Sequence, residues 1–325
     1  MTRQAKRITM IAAIALTIPL ASLGVAAPAI AQPKGIFSIF ANCPLKTFKE
    51  LGVSPKEALC NYNQTTSGEL AIGSTKVPIN SGVNAGKTIT LEGGAIPTGN
   101  PANKFEYYLL PGTNGQSISK TELNVPGGLT DIVNCEEIKG EKLLEKLERG
   151  TCKAIFENKT TGVTATTEVV ATATNPAILN EKALALEENT TAVTLPVRIH
   201  LKNPLLGSGC YIGSESSPIE LHLTTGTTAP KPPNKAIKGK TGIEESVEET
   251  IAGKELEFLR ISNNSLVDNT FSVPKAEGCG ELFAFLIDPI VDSKLKLPSE
   301  DGNNTAILAG TLNSSTAHQV ELSED

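Results

Sequence analysis

LPVRIHLKNPLLGSGCYIGSESSPIELHLTT, residues 195–225, consists of two alternating segments around a connection rich in glycine and serine. In the first, Leu195, Val197, Ile199 and Leu201 share one face, and Arg198, His200 and Lys202 share the other. In the second, Ile219, Leu221 and Leu223 alternate with Glu220 and His222. Side chains along a strand point to opposite faces in turn, so each segment reads as a strand packed on one side and wet on the other. Segments this close in sequence pair antiparallel as a rule. The stretch therefore predicts a mainly β chain of antiparallel, sandwich-like sheets. It also gathers Arg198, His200, Glu220 and His222 as a candidate polar cluster on the outer face.

The chain opens with a secretory pattern. Arg3, Lys6 and Arg7 precede an apolar run from Ile8 to about Ile30, and Ala29-Ile30-Ala31 has the small-x-small form of a cleavage site. The expected mature chain starts at Gln32 and carries no further span, so residues 1–31 are leader and 32–325 a β-rich secreted region. That region is either one domain or two packed β units with a boundary near residue 190. Losing Arg3, Lys6 and Arg7 takes the 29 Lys+Arg to 26 against 35 Asp+Glu, a net charge of −9. This balance argues against nucleic acid or an anionic lipid surface as partner. Aromatic residues are 4% with no Trp, which argues against an aromatic carbohydrate-binding platform and leaves Val, Ile, Leu and Ala to build the core.

All six cysteines, Cys43, Cys60, Cys135, Cys152, Cys210 and Cys279, follow the leader. An even set in an exported chain reads as disulfides, with the sequential pairs Cys43–Cys60, Cys135–Cys152 and Cys210–Cys279 expected. No CxxC or HxxxH spacing points to a metal.

Other segments fill in the pattern. ELAIGSTKVPI (Glu69–Ile79), KTITL (Lys87–Leu91), Phe105–Leu110 and GVTATTEVVATAT read as β, with extended stretches near Ile118 and Leu123. Ser54-Pro55-Lys56-Glu57 has the form of a helix start. The segment between Cys135 and Cys152, capped by Asn134 and ended by Gly150, reads as a helix, and Leu179–Glu188 as a shorter one. Thr224–Thr241 reads as an exposed loop, Leu282–Ile287 as a buried apolar run, and Asn304–Leu312 with Ala317–Leu322 as a closing hairpin.

Chemistry-bearing motifs are few. Two imidazoles and a carboxylate in the Arg198, His200, Glu220, His222 cluster have the donor types for acid–base work or a cation, while an outward polar face needs no such role. Ala85-Gly86-Lys87-Thr88 echoes a phosphate loop, but Ser81 stands where that motif needs Gly, and a strand follows instead of a helix. No GxSxG elbow occurs. No cofactor is expected.

Several phrases resemble a group of exported actinobacterial proteins of no assigned activity. They are FANCPL with LCNYNQTTSGELAIGSTKVPIN, KNPLLGSGCYIGS with IELHLTTGTT, and NNSLVDNTF with GCGELFAFLIDPIVDSKLKLP. The resemblance covers most of the mature chain. It implies export and a β-rich fold and carries over no catalytic residue. The expectation is a secreted, non-enzymatic structural or binding protein of the cell envelope or extracellular space, with an extracellular or cell-wall partner. The alternatives are a secreted hydrolase at the His200/His222 hairpin and, less in keeping with such short strands, a β-barrel pore.

Overall fold

The computed structural model describes residues 31–128, 162–186 and 190–324. The helix and bridge expected at Cys135–Cys152 lie outside these residues. A 3-10 helix (Gly35–Phe40) and α1 (Leu45–Glu50) precede β1 (Leu59–Ile72), β2 (Thr75–Ile79), β3 (Ile89–Pro97), β4 (Glu106–Pro111) and β5 (Leu123–Asn124). Then come β6 (Thr164–Val169), β7 (Ile178–Asn180), α2 (Glu181–Ala185), β8 (Val193–Lys202), β9 (Tyr211–Ile212) and β10 (Ile219–Leu223). The chain continues through β11 (Ile243–Ile251), β12 (Lys254–Asp268), β13 (Ala276–Glu277), α3 (Ala284–Leu295), β14 (Thr305–Thr316) and α4 (Ala317–Ser323).

The fourteen strands form one sheet, ordered β11-β12-β14-β1-β3-β4-β7-β8-β6-β5, with β2 on β1, β9 and β10 on β8, and β13 on β9. The fold is mainly β and antiparallel. Residues Gln32–Asp325 form one compact unit.

The alternation in β8 is realised in the packing: Leu195, Val197, Ile199 and Leu201 are each at most 5% exposed. Burying each contributes about 2 kcal/mol. They belong to a core shared with Ile219, Leu221 and Leu223 of β10 and with Ile261 and Leu312 of β12 and β14. Strands far apart along the sheet order thus share one apolar interior, the physical content of the sandwich-like expectation.

A second core lies on the opposite face of β1 and β12. Phe37, Phe40, Phe48, Cys43, Cys60, Phe258, Ala317 and Val320 pack together there. Phe37 and Phe40 meet the Phe258 ring edge-on at 5.5 and 5.3 Å, the arrangement that ring quadrupoles favour. The Cys43–Cys60 bridge ties the N-terminal helices to the head of β1, and Cys210–Cys279 joins the chain beside β9 to the chain beside β13.

Several local expectations are corrected. Ser54–Glu57 is a turn, with Glu57 N–H bonded to Ser54 O, and no helix follows because Leu59 enters the ladder. The closing hairpin is instead one long strand, β14, followed by α4. The Thr316 hydroxyl caps α4 by accepting from Gln319 N–H, while Ala317 N–H bonds to Ala58 O. Leu282–Ile287 is not buried as a run: helical geometry turns Ile287, Val291 and Leu295 inward, and leaves Leu282 89% and Phe285 73% exposed. Thr224–Thr241 is exposed only in part. Thr224 and Thr225 are buried, with the Thr225 hydroxyl bonded to Ala183 O. The acidic run IEESVEETI is β11, paired along its length with β12. No helix among the described residues is long and apolar enough to cross a membrane.

Candidate functional site

The histidine-bearing face is organised by register. In the β8–β10 ladder Ile219 stands opposite Val197, so Glu220 lies opposite Pro196 and His222 opposite Thr194. Thr194 and His200 are six residues apart on β8, which at strand rise puts the two imidazole-bearing positions about 20 Å apart. The proposed cluster therefore divides. Glu220 accepts from Asn175 Nδ2 at 3.0 Å, and His222 is exposed, its backbone N–H bonded to Asp268 Oδ2 at 2.7 Å.

Arg198 and His200 acquire other partners, from β6 and β9. Glu168 pairs with Arg198 in the β6–β8 register, and its Oε2 takes both Arg198 Nε and Nη2 at 2.8 Å. His200 Nδ1 lies 3.8 Å from Glu168 Oε1. The His200 ring stacks on Tyr211 with centroids 4.4 Å apart, and the Arg198 guanidinium lies 4.2 Å from the same ring centre. Lys202, further along this face, pairs with Glu122 at 2.8 Å. The Glu168 carboxylate is thus engaged in a charge-assisted pair with the Arg198 guanidinium. Two atoms here are buried without partners, His200 Nε2 and Thr166 Oγ1, which belong to residues opposed across β6 and β8. Among the described residues no group of three or more His, Cys, Asp and Glu is placed to hold a metal ion.

A second site, not singled out from the sequence, lies where α2 meets β4, β12 and β14. Asn180 caps α2 by accepting from Ala183 N–H at 3.1 Å, and Glu181 N–H bonds to Phe105 O at 3.0 Å, which pins the helix start against the end of β4. This holds the Glu181 carboxyl in a half-buried position. Burial pushes its pKa up to about 7, and a hydrogen bond from the Ser314 side chain draws it partly back. The Tyr107 phenol is in turn pushed up by burial and by the Glu181 charge.

Glu181 and Ser314 line a pocket of about 360 Å³ together with Leu59, Ser246, Glu257, Phe258, Leu259, Ser315, Thr316 and Gln319. Ser246 Oγ donates to Glu257 at 2.8 Å, whereas the buried Gln319 Oε1 has no partner. Glu257 and Gln319 also line an adjoining basin of about 440 Å³ with Glu248, Glu249 and Glu255. Glu249 there accepts from Ile36 N–H at 2.7 Å.

Asn61 stands directly opposite Ser314 in the β1–β14 ladder. Opposed residues share a face, so Asn61 lies on the same face of the sheet as Ser314. It is 4% exposed, and neither its amide oxygen nor its amide nitrogen has a partner. A buried amide left unsatisfied costs about 1–3 kcal/mol, so this is a marked feature of the fold.

Behind this polar mouth the interior is apolar. A cavity of about 80 Å³ is walled by Leu91, Leu109, Leu179, Leu195, Leu308 and Leu312, with Asn63 at its edge. Leu312 and Asn63 are two residues from Ser314 and Asn61 on the same strands. A further cavity of about 50 Å³ lies among Leu70, Ile72, Val77, Ile199, Leu201 and Leu295. The Ala85–Thr88 segment is a turn leading into β3. Comparison of the chain with protein-family models, curated proteins and solved structures finds no match.

Proposed function

We propose that the chain is an exported, non-enzymatic protein of the extracellular space or cell envelope that works by binding. The observation that carries this reading is the pocket at the mouth of the sheet interior, where the buried amide oxygen of Gln319 is held without a partner among the described residues. A buried acceptor left without a protein partner calls for a donor from outside the chain, and one that faces a pocket can take it from a ligand. Export is supported by the leader pattern of residues 1–31 and by the two bridges, which fit an oxidising compartment. A hydrolase at the His200/His222 hairpin is the weaker reading, because His222 of β10 stands opposite Thr194, six residues along β8 from His200, and the carboxylate beside His200, Glu168, is bound to Arg198.

The test is a non-reducing peptide map of protein recovered from culture medium, combined with a panel of ester and peptide substrates. A chain starting at Gln32, linked Cys43–Cys60 and Cys210–Cys279 peptides, and no turnover sensitive to His200→Ala are the expected results. A retained leader or reduced cysteines would overturn export. Turnover lost in His200→Ala would restore the hydrolase.

A further inference from the structure

We propose that the Glu181 pocket receives an ammonium group carried on a short apolar stem, an inference that rests on the binding reading above. An ammonium offers three donors and no acceptor. The pocket offers the complement: the carboxylates of Glu181 and Glu257 and the unpartnered amide oxygen of Gln319. Behind Ser314, outside the pocket's lining, the buried amide of Asn61 also lacks a partner. Leu59, Leu259 and Phe258 supply walls for methylene groups.

Charge selects the ligand. The groups facing Glu181 are the Tyr107 phenol of β4, the Glu257 carboxylate of β12, and the neutral Ser314 of β14 and Gln319 of α4. Among the described residues the influences on Glu181 are burial, which raises its pKa, and the Ser314 hydrogen bond, which lowers it. The adjoining basin adds Glu248, Glu249 and Glu255. Acidic clefts with apolar walls focus field and concentrate cations. A carboxylate-bearing ligand meets like charge here, and a neutral alcohol leaves the negative groups uncompensated. An ammonium supplies the missing counter-charge to Glu181.

The same chemistry comes from a free alkylamine or from a lysine side chain of a peptide. Four probes separate the cases in calorimetric titrations of the full mature protein at pH 8 and pH 6: n-butylamine, n-butanol, n-butyrate and Nα-acetyl-lysine N-methylamide. Both amines stay charged across this range, so the pH change reads the pocket. Binding of the amines at pH 8 is expected to be at least about tenfold tighter than that of n-butanol, with n-butyrate not bound. Affinity should fall by about tenfold at pH 6, as Glu181 takes up a proton. Glu181→Gln should weaken the amines by about tenfold or more and flatten the pH dependence.

Carboxyl NMR of the wild-type protein gives a readout independent of the variant's folding: n-butylamine should move the Glu181 midpoint below its ligand-free value. Tighter binding of the lysine derivative than of n-butylamine assigns the ligand to a peptide side chain, and equal or weaker binding assigns it to a free amine. Equal affinity for n-butylamine and n-butanol, or an unmoved Glu181 midpoint, overturns the ammonium assignment and leaves the binding reading standing. Failure of all four probes, with nothing carried by protein isolated from medium, overturns both.

Discussion

Glu181 shows how a residue takes its character from distant chain. In the sequence it opens LNEKALALEE as an ordinary acidic first turn, and nothing local separates it from a solvated carboxylate. Its burial is made by β4 and β14, long-range neighbours that no periodicity reveals. The consequence for stability has a definite sign. The folded-state pKa of about 7 lies above the ordinary 4.5, so the native state holds a proton that the unfolded chain releases. Its contribution is intact below pH 4.5, declines as pH rises towards 7, and stays low above. Glu181→Gln, which mimics the protonated form, should stabilise the fold by up to about 3 kcal/mol at pH 8 and by little at pH 4. Thermal melts at the two pH values check this, and a gain equal at both would refute it.

Asn61 makes a parallel case. Asn61→Leu replaces an unsatisfied buried amide with a side chain of similar size and should raise stability by about 1–2 kcal/mol, which urea unfolding checks. The outer polar cluster was half legible. Alternation set Arg198, His200, Glu220 and His222 apart from the apolar face, but only Glu220 and His222 are exposed; register decides neighbours, and the partners Glu168 and Tyr211 that cover Arg198 and His200 come from strands whose pairing the pattern does not encode.

At the scale of elements, the stretch 195–225 was readable because both its signals are local: period-two alternation and a nearby antiparallel partner. Where two local preferences compete, the sequence was ambiguous. Ala317–Leu322 alternates weakly enough to pass for a strand, yet the Thr316 cap and the α4 packing on Phe37 and Phe40 make it a helix. Leu282–Ile287 misled in another way, since an apolar run carries no facing information until the helical stripe of Ile287, Val291 and Leu295 is known. Two element-level predictions follow from the ladder and the bridges. Gly310 of β14 has the Gln64 carbonyl where a methyl would sit, so Gly310→Ala should cost about 2 kcal/mol or more by forcing the β1–β14 strands apart. Replacing Cys210 and Cys279 by serine opens a loop of 69 residues and should cost about 4 kcal/mol, against about 3 kcal/mol for the 17-residue Cys43–Cys60 loop. Denaturant midpoints of the two double variants check the order.

At the scale of the whole molecule, class and stapling were legible and topology was not. Composition, turn residues and alternation converge on antiparallel β, and two of the sequential cysteine pairs are bonded. The strand order could not be read, because β1 pairs with β14 across most of the chain, and such a pairing leaves no mark in local pattern. That long closure is also what creates the site. It brings Ser314 from near the end of the chain between Asn61 and Glu181, with an apolar interior on one side and an acidic basin on the other. The central claim is that this mouth is a binding site on an exported scaffold. Native mass spectrometry of the wild-type protein purified from culture medium tests it most directly. The account predicts a mature chain from Gln32 carrying a non-covalent small-molecule adduct that is absent in Glu181→Gln. An adduct-free wild-type chain, or one bound equally by Glu181→Gln, would contradict it.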